Sequence, residues 1–184
     1  DFGVLFGKQF LNFFTPVLLL SCVIPATGMY FLRRIGLISD FALTDRSERF
    51  LPMLISFFSY IALVYFFWIS GLHIFFLWFI ALLVAPILLL IITSIINIYW
   101  KISAHMTAIG GLTGGFLSVC YNIKGLNLYI LFMILFILAG CLGSARLVLK
   151  RHTPAQVYAG FLLGFVITYI CLWASAKYAL FFLK

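Results

Sequence analysis

The sequence predicts an all-α integral membrane protein, a bundle of about six transmembrane helices with a polar site at one membrane face. Three observations point there. Of 184 residues, 66% are hydrophobic and only 9% charged, with a mean hydropathy of +1.24. A water-soluble domain of this length needs more polar surface. Apolar stretches of roughly 20 residues, each long enough to cross a bilayer, recur along the chain. The charged residues collect at the ends of those stretches.

The spans fall at about 10–32, 50–70, 73–96, 103–121, 126–145 and 154–182. The first holds Pro16 and Pro25, which predicts a kink or a short entry helix near residues 1–14. It is long enough to be a span, not a cleaved signal. A start at Asp1, not Met, is expected of a trimmed or processed chain. The third span carries Pro86. The fourth contains Gly110, Gly111, Gly114 and Gly115, a doubled GxxxG. Inside an apolar helix that spacing predicts close helix packing, not a phosphate-cradling loop. Gly160 and Gly164, four apart in the sixth span, predict a packing face as well. Cys22, Cys120, Cys141 and Cys171 each stand alone in apolar sequence and read as small buried hydrophobes. Trp68, Trp78, Trp100 and Trp173 read as interfacial anchors or lipid-facing bulk.

Tracing the spans back and forth brings three connections to one face. They carry Arg46 and Arg49, then Lys101 and His105, then Arg146, Lys150, Arg151 and His152. Spans two, four and six all begin there. Their free N–H groups and the positive ends of their dipoles suit an anion, and phosphate suits the arginines. The formal charge of +8 therefore points to anionic headgroups in the bilayer and not to nucleic acid.

Within Ser144–Gln156, Thr153 can cap the sixth helix and Pro154 suits its first turn. His152 then lies just outside a helix N-terminus, where a neutral imidazole can attack phosphorus. The planar fork of Arg146 suits phosphate oxygens. In Lys101–His105, Ser103 can cap the fourth helix and donate to phosphate, Lys101 adds charge, and His105 can protonate a leaving oxygen. Arg46 and Arg49, three apart on a helix face, can clamp phosphate. Asp45 and Glu48 have capping-box spacing and read as helix-start residues.

These pieces, in this order, resemble the type-2 phosphatidic acid phosphatase superfamily, the lipid phosphate phosphatases. That family carries KxxxxxxRP, PSGH and SRxxxxxHxxxD. Arg146 and His152 match the third motif, Ser103 and His105 match part of the second, and Arg46 or Arg49 stands for basic residues of a degenerate first. The resemblance covers nearly all of 1–184 as a single transmembrane phosphatase-like domain. It implies a hydrolase with His152 as nucleophile, His105 as general acid, and Arg146 and Ser103 on the phosphate. It implies no metal and no cofactor. The family Asp that orients the nucleophile is Gln156 here, an uncharged acceptor, and Ala145 fills the Ser position.

The expected function is metal-independent dephosphorylation of a membrane lipid phosphate or pyrophosphate. The alternative is a catalytically weak or inactive relative that binds phospholipid headgroups or a membrane partner. A haem or quinone protein using His73, His105 or His152 fits poorly, because His73 belongs to the opposite face. Counting Lys and Arg gives eight on the site face and four on the other, which by itself points to a cytoplasmic site. Half of those eight have a reason to be there for phosphate. Many bacterial members of the resembled family face the periplasm, so a bacterial inner-membrane protein with a periplasmic site is expected.

Overall fold

The computed structural model describes residues 11–41, 43, 45, 47–71, 77–122 and 129–182. Among these the regular structure is all helix, with no strand, and five helices are long and apolar enough to cross a membrane. We label them α1 (Leu11–Arg34), α2 (Phe50–Ile69), α3 (Leu77–Tyr99), α5 (Tyr129–Val148) and α6 (Pro154–Phe182), with α4 (Ala104–Asn122) between α3 and α5. The helices group into two compact units, Asp1–Ser70 and Gly71–Lys184.

In the first unit α1 and α2 pack as a pair. Leu63 and Phe67 are fully buried, and the Phe67 ring lies 5.1 Å from that of Phe13. No break follows Pro16 or Pro25. The fault they introduce is a π-turn at Leu19–Val23, where the Ile24 N–H bonds to the Leu19 carbonyl. In that register the next amide, Pro25, would bond to Leu20, and proline has no N–H to give. The Ser59 hydroxyl of α2 donates to the Leu20 carbonyl instead. A carbonyl in an apolar setting is thereby satisfied, and the helix continues.

The first connection is held by its own polar groups. α1 ends in a left-handed residue, Gly36, with φ +77°. The Leu37 N–H reaches back to Leu32 O and the Gly36 N–H to Arg33 O, 2.9 and 3.1 Å. The Glu48 carboxylate reaches Ser39. It accepts bonds from both the amide and the hydroxyl of Ser39. Asp45 caps the Ser47 amide at 3.0 Å, as expected of a helix-start residue. The Arg33 guanidinium sits 4.3 Å above the Phe41 ring.

The second unit is organised around α4, which lies outside the set of five. Its Gly, Thr and Ser content lowers its hydropathy, and its neighbours allow that content. α6 packs along α4, with α3 and α5 also against it. The glycines do what their spacing predicts. A Cβ on Gly110 would lie 2.1 Å from Phe161 O, and one on Gly114 2.2 Å from Phe165 O. Reciprocally, a Cβ on Gly164 would lie 1.9 Å from Thr107 O, and one on Gly160 2.8 Å from Ser103 O. The two backbones touch through small residues contributed by both helices. The buried Thr107 and Thr113 hydroxyls donate to carbonyls one turn back, Ser103 O and Ile109 O. Across this unit Thr93 of α3 does the same with Leu89 O.

The cysteines differ from expectation. Cys22 and Cys141 are exposed, and Cys120 and Cys171 half-buried. Lipid-facing positions accept a small apolar side chain as readily as a core does, so hydropathy alone does not place it.

Candidate functional site

The site is built from two connections of the second unit, one leading into α4 and the other from α5 into α6. At the end of α5 the chain repeats the α1 cap. Lys150 takes the left-handed conformation, φ +51°. The Arg151 N–H bonds to Arg146 O at 3.1 Å, and the Lys150 N–H to Leu147 O at 2.9 Å. This pattern ties Arg146, four residues inside the cap, to Arg151 just past it. His152 follows, and Thr153 caps α6. The six-residue step from Arg146 to His152 is thus the length of one helix-ending turn plus the residue before the next helix.

Thr153 and Gln156 form a reciprocal capping box. The Gln156 amide donates to Thr153 Oγ1 at 3.4 Å, and the Thr153 amide to Gln156 Oε1 at 3.1 Å. The second bond fixes the chemistry of His152. A backbone N–H only donates, so the Gln156 atom it meets is the oxygen. That oxygen also lies 3.1 Å from His152 Nδ1, so Nδ1 is the donor. A neutral His152 then carries its proton on Nδ1 and its lone pair on Nε2. Gln156 holds the imidazole through its amide oxygen and adds no charge.

His152 and Gln156 line an open pocket of about 580 Å³ together with Lys101, Leu147, Lys150, Arg151, Thr153 and Pro154. Lys101 comes from the connection before α4. Two of the three connections grouped from sequence therefore converge. Beneath them Ile102, Met106 and Val157 are buried. A Cβ on Gly143 would meet Val157 and Met106 at 3.3 and 3.5 Å, so α4, α5 and α6 close together under the pocket.

The remaining candidates are placed differently. Ser103 is fully buried and caps α4, accepting from the Met106 amide at 3.4 Å. Its burial follows from the close approach of Gly160. His105 is exposed in the first turn of α4 and lies outside the pocket lining. Arg146 is half-buried in the last turn of α5 and is also outside the lining. Its Nε is buried and makes no hydrogen bond, which is costly for a charged donor. Arg49, in the first unit, donates from Nε to Leu43 O at 3.0 Å. Arg46, Lys8, His73, Lys124 and Lys184 lie outside the described residues, as does the side chain of Trp78. Two residues of the pocket, Lys150 and Arg151, were grouped from sequence with this connection but given no role of their own on phosphate. The usual sign of a left-handed cap is glycine, and a lysine there gives no sign of it.

Comparison with protein-family models, with curated proteins and with solved structures returns no match to this chain.

Proposed function

We propose that the chain is a metal-independent lipid phosphatase of the type-2 phosphatidic acid phosphatase kind, with α4 completing six spans in a bacterial inner membrane and the pocket facing the periplasm. The observation that carries this reading is the Thr153–Gln156–His152 arrangement. It holds an imidazole in the Nδ1–H tautomer at a helix N-terminus, with Lys101, Lys150 and Arg151 around it. An imidazole so held presents Nε2 to an anion that the cations and the helix dipole attract.

In the proposed reaction Nε2 attacks phosphorus, the lipid oxygen leaves, and water then hydrolyses the phosphohistidine. Arg146 has a buried Nε that a phosphate oxygen would satisfy. Ser103 acts by fixing the start of α4, and His105 is the proposed general acid for alkoxide leaving groups. The test is phosphate release from a panel of lipid phosphates in detergent with EDTA present. His152→Ala is expected to abolish release; full release by that variant overturns the reading.

A second reading has an observation of its own. Gln156 is already accounted for as the capping-box partner of Thr153, so the same geometry serves a protein that binds phospholipid headgroups without turnover. Tight binding of lipid phosphate with no release from any substrate would favour it.

A further inference from the structure

We infer that the hydrocarbon tail of the bound lipid lies in a notch on the outer side of the α5–α6 seam, directly below the pocket, where Gly140 makes room for it and the Phe136 and Phe161 rings form its floor; the inference rests on the phosphatase reading above. A lipid whose phosphorus sits at His152 must bring its tail out of the pocket on some side. Lys101, Lys150, Arg151, Thr153 and Gln156 make most of the lining polar. The apolar lining residues are Leu147, at the end of α5, and Pro154, at the start of α6. A tail leaving past these two meets the seam between the helices.

Residues four, seven and eleven apart on a helix fall on one stripe. Down α5 from Leu147 that stripe is Gly143, Gly140 and Phe136. Down α6 from Pro154 it is Tyr158 and Phe161. Two contacts show that the stripes face each other. Next to the pocket, a Cβ on Gly143 would lie 3.3 Å from Val157 of α6. Farther down, the Phe136 and Phe161 rings are 5.7 Å apart and inclined at 61°. Between these closures α5 presents Gly140, which is exposed, and a Cβ there would meet nothing within 4 Å. Tyr158, on the facing stripe, is exposed as well. The seam is therefore shut at both levels and open between them.

The reach of the notch fits a tail. Phe136 lies about 16 Å along the helix axis from Leu147. That is about half of a hydrocarbon core roughly 30 Å thick, the depth of one leaflet. Hydrophobic burial does not draw the tail in, because the bilayer is as apolar as the notch. The notch acts through position. A tail seated against both helices fixes the approach of the headgroup to His152 Nε2, and a misplacement of about 1 Å costs on the order of 10² in rate. Gly140 is a positioning residue in this sense.

The experiment gives each lipid phosphate of the panel in a long-tailed and a short-tailed form, such as dioleoyl and dihexanoyl phosphatidic acid. The full chain is assayed in detergent with EDTA, beside His152→Ala, Gly140→Leu and Cys141→Leu. Gly140→Leu fills the notch. Cys141→Leu adds a leucine one residue on, at an exposed position about 100° around the helix. The reading is the ratio of kcat/KM for the long tail to that for the short one. Gly140→Leu is expected to lower this ratio by about tenfold, and Cys141→Leu to keep it. A ratio unchanged in Gly140→Leu, with release still dependent on His152, overturns the notch and leaves the phosphatase reading standing. An equal fall in Cys141→Leu overturns the notch too, since bulk anywhere on α5 would then suffice. No His152-dependent release from any lipid of the panel overturns both readings together.

Discussion

Two helices in this chain, α1 and α5, end in the same way, and their surroundings differ. Each closes on a left-handed residue with paired backbone bonds back to the last turn. After α1 that residue is Gly36, and the following segment neutralises itself. Residues 33–49 hold Arg33, Arg34, Arg46 and Arg49 against Asp40, Asp45 and Glu48, a net charge of +1. Glu48 holds Ser39, Asp45 holds Ser47, and Arg49 holds Leu43. After α5 the residue is Lys150. Residues 146–156 hold Arg146, Lys150 and Arg151 and no acid, a net charge of +3. One connection is a finished piece of structure. The other places Arg146, Lys150 and Arg151 beside a histidine with no acid in the segment itself.

The largest expected effect tests the scaffold under the second connection. Gly164→Leu would drive a side chain into Thr107 O and the Gly111 amide, 1.9 and 2.7 Å from the added Cβ. Backbone cannot give as a side chain does, so this variant is expected not to yield a monodisperse folded protein in detergent. Gly140→Leu, on α5, meets nothing within 4 Å and is expected to purify normally. Equal behaviour of the two would mean that α4 and α6 do not pack through their glycines.

Next in size is Gln156→Leu. It removes the oxygen that serves both the Thr153 amide and His152 Nδ1. Loss of the fixed tautomer should lower kcat by about 10² or more, by comparison with a protease triad whose orienting carboxylate is lost. Gln156→Glu keeps an acceptor and should retain most of the rate. Arg49→Ala sharpens the contrast between connections. It breaks a bond to Leu43 O within the first unit and should lower stability by about 1 kcal/mol in thermal denaturation. Abolished phosphate release in that variant would show that the first connection is not a self-contained element.

How much of this could be read from sequence depends on whether the cause is local. The sixth span, expected at 154–182, is Pro154–Phe182, because Thr153 and Pro154 mark its start by themselves. The second, expected at 50–70, is Phe50–Ile69. The third, expected to end at 96, runs on to Tyr99, since no stop signal interrupts the apolar run near Ile95. The GxxxG contacts were legible because spacing alone sets them. The π-turn was not, because Pro25 asks for help and Ser59, 39 residues from Leu20, supplies it. Ser103 looked available to a ligand; its full burial comes from Gly160 on another helix. Of the residues singled out from sequence, His152, Gln156 and Lys101 line one pocket. Lys150 and Arg151 belonged to the same connection in sequence, but their place in the lining comes from the helix ending.

The smallest effect is the most direct test of the comparison, because it exchanges the two caps. Gly36→Ala places a Cβ at φ +77° with nothing within 4 Å to clash. Its cost is purely conformational, about 1 kcal/mol. Lys150→Gly runs the other way. It relieves a left-handed residue with a side chain, offset by the larger backbone entropy of glycine in the unfolded chain, for a gain of about 0.5 kcal/mol. Thermal denaturation in one detergent reads both signs. If Lys150→Gly is more stable and at the same time less able to release phosphate from the lipid phosphate panel, then the lysine stands there for its charge. If it is less stable, contacts of the lysine side chain hold the turn, and position 150 belongs with the self-contained chemistry of the first connection.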